Sequence, residues 1–397
     1  MADARRGSRL TGPRLEYPVR GGHDPPMTTW IIKTDAPGDG PRLAVKDAID
    51  VAGLPTTAGC AAIAERAEAA AADAPVVASA RARGARIAGK ANLNELCMAA
   101  DGVNPWSGTP VNPLDPSRVP GGSSSGSAVA VATGEADVAF GTDTSGSIRI
   151  PAACCGIAGL KTTNGRVSVE GVHPLSPTLD VVGPLGRDVA AVVLGMDLIE
   201  PGFTPVPYDA SLPIARLRVP GVDPAIDAAV DDALRRLGPF SEVTSAHYEE
   251  AATANGVIVS VEGWEQNGHL LGEPDKLSGR IHRRIQHMKD VHEAGMLDWA
   301  LGFRTSFRAE LDAILARHAA IALPVLTCVA PEPDEADESD LLLTTLTGQA
   351  NVAGLPAFAL PVPLPGSHLP ASVQLIGPAG GEERLCGLAA ALEAASA

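Results

Sequence analysis

The sequence predicts an α/β fold, because strand and helix patterns alternate along its N-terminal part. Residues 42–50 alternate apolar and polar side chains as a strand does. Residues 61–72 are rich in alanine and fit a helix, and Pro75 stands where a second helix over residues 76–83 would begin. Residues 85–89 then fit a short strand. This order of strand, two helices and strand is typical of an α/β fold.

The rest of the chain continues with both kinds of element. The pattern predicts helices at 127–133, 187–199, 341–353 and 382–394, mostly helical structure at 241–322, and strands at 136–141, near Leu217, at 358–362 and at 372–377. Six acidic residues within 331–340 predict an exposed loop there. We find no internal repeat and no clear boundary, and therefore expect one domain.

The composition of the chain excludes some classes of function. The chain has 397 residues, 45% of them apolar and 20% charged, which is enough for a large core in a globular protein. Its net charge of −16 would repel nucleic acid and anionic membranes, so we expect neither as a partner. No stretch of apolar residues approaches the length that crosses a membrane.

The N-terminal segment and the cysteines lead to expectations about order, redox state and metal binding. Residues 1–40 begin with a polar segment rich in Pro and Gly, so we expect an arm that is partly disordered, and Met27 is an alternative start. Cys154 and Cys155 are adjacent in an apolar run, which favours buried, reduced thiols in a cytoplasmic protein. No group of Cys and His has zinc spacing, so we expect no metal and no cofactor.

Lys46, Ser123 and Ser147 are the residues that most clearly indicate a function. They lie in LAVKDAIDVAGLPTTAG (43–59), VPGGSSSGSAVAVATG (119–134) and FGTDTSGSIRIPAACCGIAGLK (140–161). A lysine held in a buried pocket loses its charge readily and can then accept a proton. A serine after a turn of small residues can attack a carbonyl carbon while backbone N–H groups stabilise the oxyanion. The set suggests a serine nucleophile activated by lysine, and therefore acyl transfer.

Each of these residues also has a simpler interpretation. Lys46 could be a surface residue paired with Asp47, since buried lysines are rare. Ser147 could cap a helix that begins near Ile148. Ser123 could belong to a flexible Gly/Ser loop.

A second motif overlaps the Gly/Ser loop. Residues 122–126 match GxSxG, the pattern of a nucleophile elbow. We reject this interpretation because residues 119–121 form a poor strand end and none of the histidines has a supporting motif.

The motifs together resemble the amidase signature family. The similar segments are the three quoted above, GKANLNEL (89–96), NPLDPSRVPGGSS (112–124), VHPLSPTLDVVGPLGRDVA (172–190), ANVAGLPAFALPVP (350–363) and VQLIGP (373–378). The resemblance implies a single-domain α/β/α sandwich whose large mixed sheet is covered by helices. Its domain would span 41–397, with a signature core at about 42–195, a variable middle at about 200–325 and a C-terminal part at 341–397 that completes the core.

The resemblance also implies a Ser–cis-Ser–Lys triad. Ser147 matches the nucleophile, Lys46 matches the base, and Ser123 matches the bridging serine, whose preceding peptide is cis in the family. The oxyanion hole would consist of the backbone N–H groups of Thr144, Ser145, Gly146 and Ser147. Supporting roles fall to Asp143, Arg149 and Ser124.

The sequence departs from the family pattern at a few positions. Ser125 and Ser145 stand where the family usually has glycine, and a positive φ at Ser145 would strain the oxyanion turn. His173 replaces a usual apolar residue. The candidates for the walls of the substrate pocket are Met98, Trp106, His173 and Trp264.

The expected function is hydrolysis of a carboxamide C–N bond in a small molecule through an acyl-enzyme on Ser147. Three alternatives stay open: a subunit of a glutamine-dependent tRNA amidotransferase, a hydrolase of esters or carbamates, and a non-catalytic binding protein on the same fold. The sequence selects no particular substrate. A homodimer is the default expectation for the oligomeric state.

Overall fold

A computed structural model describes residues 28–34, 36–333 and 338–396. Most of the predicted arm, residues 1–27 and residue 35, lies outside the described residues. Inside it, residues Trp30–Lys33 form a strand that pairs with Gly89–Ala91. The sheet therefore begins before residue 41, where we expected the domain to start.

The fold is built on a sheet of 11 strands. The strands are β1 (Trp30–Lys33), β2 (Arg42–Lys46), β3 (Arg86–Ala91), β4 (Val138–Asp143), β5 (Ala158–Lys161), β6 (Val181–Gly186), β7 (Ala215–Leu217), β8 (Ser241–Val243), β9 (Ile321–Pro324), β10 (Ala357–Val362) and β11 (Ala371–Ile376). Their order across the sheet is β1-β3-β2-β4-β6-β5-β10-β11-β9-β7-β8. The pairs β2–β3, β2–β4, β7–β8 and β7–β9 are parallel and the others are antiparallel. This mixed sheet confirms the predicted α/β fold.

Helices pack on the sheet. They are α1 (Ala61–Ala64), α2 (Pro75–Ala82), α3 (Ser125–Ala132), α4 (Arg149–Cys155), α5 (Val189–Ile199), α6 (Pro224–Arg235), α7 (Tyr248–Asn267), α8 (Gly279–Glu293), α9 (Leu297–Leu315), α10 (Glu338–Thr344), α11 (Gly348–Val352) and α12 (Glu382–Ser396). Local sequence fixes several starts. The side chain of Asp188 caps α5, and Asp223 caps α6 directly before Pro224, which suits the first helical position because it has no N–H to leave unpaired.

Side-chain alternation along the central strands places apolar groups on both faces of the sheet. In β2, Leu43 and Val45 join one buried cluster while Ala44 joins another. In β4, Phe140 and Ala139 divide between the same two clusters. Because neighbouring residues of a strand point to opposite faces, the sheet has a core on each side. The helices cover both cores.

Two predicted helices are shorter than expected. The helix predicted over 61–72 ends at Ala64, because Ala70 exchanges backbone hydrogen bonds with residues 53 and 54. The helix predicted over 341–353 is divided into α10 and α11 around Thr347. The Thr347 carbonyl there accepts a hydrogen bond from the buried Arg149 guanidinium at 2.8 Å.

The acidic segment is only partly an exposed loop. Its residues 334–337 lie outside the described part of the chain. Asp340 lies in α10, is 5% exposed, and forms ion pairs with Arg280 and Arg284 of α8. The prediction of an exposed loop is therefore wrong at Asp340, because two arginines offset the cost of burying its charge.

Candidate active site

Lys46 ends β2 and its side chain is fully buried. Its Nζ lies 2.7 Å from Ser123 Oγ and 2.7 Å from Thr142 Oγ1 on the neighbouring strand β4. Burial lowers the pKa of Lys46, against the opposing effect of nearby groups that include Cys97 and Asp143. Asp47 pairs with Lys90 instead, at 2.9 Å. The surface-lysine interpretation is therefore wrong, and the site holds an amine that gives up its proton more easily than usual.

Ser123 lies in an ordered loop that leads into α3. The peptide between Gly122 and Ser123 is cis. The backbone N–H of Asn94 donates to the Ser123 carbonyl at 3.2 Å, and a Cβ at position 122 would lie only 1.9 Å from Asn94 Oδ1. This loop packs closely against the segment that follows β3, so it is not a flexible linker. Ser124, the expected supporting residue, donates from its hydroxyl to the Thr142 carbonyl at 3.2 Å.

Ser147 follows the turn at the end of β4 and is 8% exposed. Its carbonyl accepts a hydrogen bond from the Ser124 N–H at 3.2 Å, which joins the two serine-bearing segments. Both hydroxyls belong to the described residues, and no hydrogen bond joins Ser123 Oγ to Ser147 Oγ. The structure thus contains the first contact of the expected relay, from Lys46 to Ser123, and brings Ser147 to the adjacent backbone.

Asp143 and Arg149 form a fully buried ion pair behind this turn. Burial alone would raise the pKa of Asp143, but the charge and hydrogen bonds of Arg149 outweigh it and hold that pKa well below its usual range. The carboxylate also accepts the N–H groups of Gly146 at 2.8 Å and Ile148 at 3.1 Å. These bonds set the course of the backbone on both sides of Ser147.

One member of the expected oxyanion hole is occupied. The N–H of Gly146 donates to Asp143 and is not available to a substrate, so it is removed from the predicted set. Across residues 28–34, 36–333 and 338–396, we find no acceptor for the N–H groups of Thr144, Ser145 or Ser147. Gly146 has φ = 128°, and a Cβ there would lie 2.3 Å from Thr347 Oγ1, so the turn requires glycine at this position.

Ser145 does not strain the turn. Within the described residues, the non-glycine residues with positive φ are Ala58, Leu96 and Cys97. The positive φ that the turn needs is at Gly146. The condition under which Ser145 would strain the turn, a positive φ, is therefore not met.

A cavity of about 1010 Å³ opens beside Ser147. Apolar side chains form much of its wall, among them Met98, Ile150, Leu175, Val259 and Met288. Its polar lining includes Thr144, Ser145, Glu249, Asn255, Arg284, His287 and Asp340. Helices α7 and α8 of the variable middle supply one side of it.

Of the four residues predicted to line the pocket, Met98 does so. Trp106, His173 and Trp264 are not part of the cavity wall that the described residues form. Burial lowers the pKa of His173, whose Nε2 lies 3.2 Å from Asn267 Oδ1, so this histidine is a packed structural residue. Trp264 packs against an apolar cluster next to the cavity.

The described residues contain neither a metal site nor a membrane-spanning helix of the following kinds. No cluster of three or more His, Cys, Asp or Glu side chains suits a metal ion. None of the helices combines the length and the apolar character needed to span a bilayer.

Comparison with known proteins identifies the family. The sequence model of the family described as Amidase matches residues 36–219 and 252–386. The chain belongs to the amidase family. This match includes all three residues of the expected triad, and it omits residues 220–251, which contain α6 and β8.

Family relatives differ in their described activities. The chain is 36% identical over 388 residues to a subunit of the glutamyl-tRNA(Gln) amidotransferase of Symbiobacterium thermophilum, covering 85% of this chain and 79% of that one. It is 32% identical over 378 residues to 2-amino-5-chloromuconic acid deaminase of Comamonas testosteroni, covering 89% and 80%. A solved structure described as an amidase superposes with a TM-score of 0.80 at 30% identity, covering 90% of this chain and 85% of that one.

Several residues that lie next to the candidate active site were not predicted from the sequence. Thr142 contacts Lys46, and Asp180 accepts the hydroxyl of Thr144 at 2.6 Å. Cys97 lines the cavity, and its presence near Lys46 raises the pKa of that amine against the larger effect of burial. Asn255 reaches Ser145 from α7. Thr142, Cys97 and Asp180 lie inside the resembling segments or next to one, which was the available signal, whereas nothing near Asn255 pointed to the site.

Proposed function

We propose that the protein hydrolyses an amide C–N bond through an acyl-enzyme on Ser147, with Lys46 as the base and Ser123 as the relay. The observation that carries this proposal is the buried Lys46 amine, 2.7 Å from Ser123 Oγ. A neutral amine can accept a proton from Ser123, which can in turn take one from Ser147, because a hydroxyl both donates and accepts. The proposal requires the Ser147 hydroxyl to approach Ser123 when substrate binds.

The acylation step follows from the geometry of the turn. Ser147 Oγ would attack the carbonyl carbon as its proton passes through Ser123 to Lys46, and negative charge would develop on the carbonyl oxygen. The unoccupied N–H groups of Thr144, Ser145 and Ser147 are the candidate donors to that oxygen. Each well-placed donor of this kind contributes about 3 kcal/mol of transition-state stabilisation.

The remaining steps return the proton. The C–N bond breaks as Lys46 gives its proton back, through Ser123, to the departing nitrogen. Water then attacks the acyl-enzyme by the same relay and releases the carboxylic acid and free Ser147. No other reactant is needed.

The cavity favours a substrate with an apolar acyl portion. Its volume of about 1010 Å³ lies at the upper end of the range for common ligand pockets, which span about 300–1,000 Å³. Much of its wall is apolar, and two of the charged side chains that line it, Arg284 and Asp340, bind each other. Arg284 is already engaged by the Met98 carbonyl and by Asp340. Esters and carbamates with the same apolar portion would fit the same chemistry.

An amidotransferase subunit is the second candidate, because the relative in Symbiobacterium thermophilum has that description. The two candidates differ in the substrate that yields ammonia. A subunit of that kind would release ammonia from glutamine, and its release would rise on addition of partner subunits. The stand-alone enzyme would hydrolyse amides without a partner. We propose a cytoplasmic location and a homodimer as accompanying features.

A substrate panel tests the proposal. Purified protein is incubated with glutamine, small aliphatic amides, aryl amides, anilides, carbamates and esters, and the acid product is quantified. We expect hydrolysis of an amide with an apolar acyl group and loss of that activity in Ser147→Ala. Hydrolysis by Ser147→Ala at the rate of the wild type would exclude the mechanism. No turnover of any member would favour the non-catalytic binding protein.

A further inference from the structure

We propose that Asn255 is a positioning residue for the reaction, and that it works together with Ser145 to aim the oxyanion turn at the cavity. The inference rests on the proposed function. Asn255 lies in the long helix α7, far from the nucleophile in sequence, and is 6% exposed. It lines the same cavity as Ser147.

The Asn255 amide contacts two successive residues of the turn. Ser145 Oγ donates to Asn255 Oδ1 at 2.6 Å, and Asn255 Nδ2 donates to the Thr144 carbonyl at 3.3 Å. The orientation of the amide is fixed by this pair, because a carbonyl can only accept and therefore requires the nitrogen on its side. The two bonds hold a side chain and a backbone group of adjacent residues.

The other polar groups of the turn are anchored elsewhere. Thr144 Oγ1 donates to Asp180, the Ser145 carbonyl accepts from Thr347 Oγ1 at 2.5 Å, and the Gly146 N–H donates to Asp143. Asn255 and these three partners thus occupy most of the polar groups of the turn. Within the turn, the N–H groups of Thr144 and Ser145 have no acceptor among the described residues. Rotation of the peptide plane between Thr144 and Ser145, which carries the Ser145 N–H, would break the bond from Asn255 to the Thr144 carbonyl. The Thr144 N–H shares its plane with the Asp143 carbonyl, which accepts from Asn351 at 3.1 Å. The amide of Asn255 thus fixes the direction of the Ser145 N–H.

The surroundings of Asn255 are built to accommodate it. Gly348 begins α11 directly beside it, and a Cβ at that position would lie 2.8 Å from Asn255 Oδ1. Ser145 supplies a hydroxyl at a position where the family usually has glycine, and that hydroxyl has Asn255 as its partner. The link therefore joins the turn to α7, whose sequence lies in the variable middle.

The experiment compares Asn255→Ala, Ser145→Ala, the double variant and Asn255→Asp on the best substrate of the panel. We expect each alanine variant to lower kcat by about 10- to 100-fold with little change in KM, because misaimed N–H groups affect the transition state more than substrate binding. The double variant should have the same kcat as Asn255→Ala. The hydrogen bond between Ser145 and Asn255 is already lost in Asn255→Ala, so removing the Ser145 hydroxyl as well removes nothing further.

Asn255→Asp provides a readout that a purely structural role would not move. An ionised carboxylate cannot donate to the Thr144 carbonyl and places negative charge beside the developing oxyanion, so kcat should fall below that of Asn255→Ala near neutral pH. A protonated carboxyl can donate a hydrogen bond. The difference in kcat between Asn255→Asp and Asn255→Ala should therefore shrink as the pH is lowered. A deficit independent of pH would contradict the proposed role.

Asn267→Ala is the matched control. Asn267 is a fully buried asparagine at the end of the same helix and contacts His173 and Pro174 outside the cavity wall. Its variant should lose thermal stability without a comparable loss of kcat. An unchanged kcat in Asn255→Ala, or an equal loss in Asn267→Ala, overturns the inference. If Asn255→Ala does not fold, Ser145→Ala alone decides, and wild-type kcat in that variant overturns the pairing.

The outcomes separate this inference from the proposed function. Failure of the proposed function appears in the wild type, as an absence of turnover or as turnover that survives Ser147→Ala. Failure of the inference appears as an active wild type whose kcat is insensitive to Asn255 and Ser145.

Discussion

Replacing Arg149 by lysine should destabilise the fold by about 3–6 kcal/mol. The guanidinium donates to both oxygens of Asp143, the Thr347 carbonyl, Gln374 and Asn351. An ammonium has three donors, so at least two of these five acceptors would lose a hydrogen bond. Hydrogen bonds to a charged group contribute about 1.5–3 kcal/mol each, which gives the stated range. Arg149 and Asp143 are fully buried, so solvent offers no substitute.

The assay is urea unfolding followed by tryptophan fluorescence. Arg42→Lys is the control, because Arg42 also bonds an aspartate, Asp137, but its side chain is 38% exposed. The free energy of unfolding should change by no more than about 1 kcal/mol in Arg42→Lys. The Arg149→Lys variant should also react more slowly with a fluorophosphonate, since the turn around Ser147 loses its anchor. A free energy of unfolding that changes no more in Arg149→Lys than in Arg42→Lys would show that the five hydrogen bonds of Arg149 do not stabilise the fold as stated.

Three further predictions concern Lys46 and its neighbour. Lys46→Met should lower kcat/KM by about 100-fold or more through loss of the general base, and an unaltered kcat/KM would rule out that role. Burial lowers the pKa of Lys46 in the folded state, so the unfolded state binds more protons below the usual lysine pKa near 10.4. The stability of the wild type should therefore rise relative to Lys46→Met as the pH increases toward about 10, and parallel urea-unfolding profiles would contradict this. Treatment with methyl methanethiosulfonate should inhibit the wild type because Cys97 lines the cavity beside Lys46, and Cys97→Ala should lose a smaller fraction of its own activity under the same treatment.

Local patterns predicted the parts of the fold that depend on neighbouring residues. The alternation of 42–50 and the turn of small residues after Phe140 correspond to β2 and to the turn before Ser147. The strand β6 was not predicted, because a proline such as Pro184 usually indicates the end of a strand. In the structure β6 pairs with both β4 and β5. The division between α10 and α11 depends on a distant arginine, which no local pattern contains.

The same limit applies to the site. The grouping of Lys46, Ser123 and Ser147 was suggested by their motifs, but the environment of Lys46 depends on Thr142 and on burial by the whole sheet. The loss of the Gly146 N–H from the oxyanion set follows from the orientation of the Asp143 carboxylate, which a sequence does not specify. Asn255 comes from a helix without any motif. These features are long-range contacts, and they appear only when the chain is folded.

The most direct test of the lysine-activated serine is the rate and the place of acylation. Wild type and Lys46→Met are reacted with a fluorophosphonate over a range of pH, and the modified peptide is identified by mass spectrometry. We expect an adduct on Ser147 whose rate of formation rises with pH in the wild type and falls by about 100-fold or more in Lys46→Met. An adduct on another residue, or equal rates in the two proteins, would contradict it.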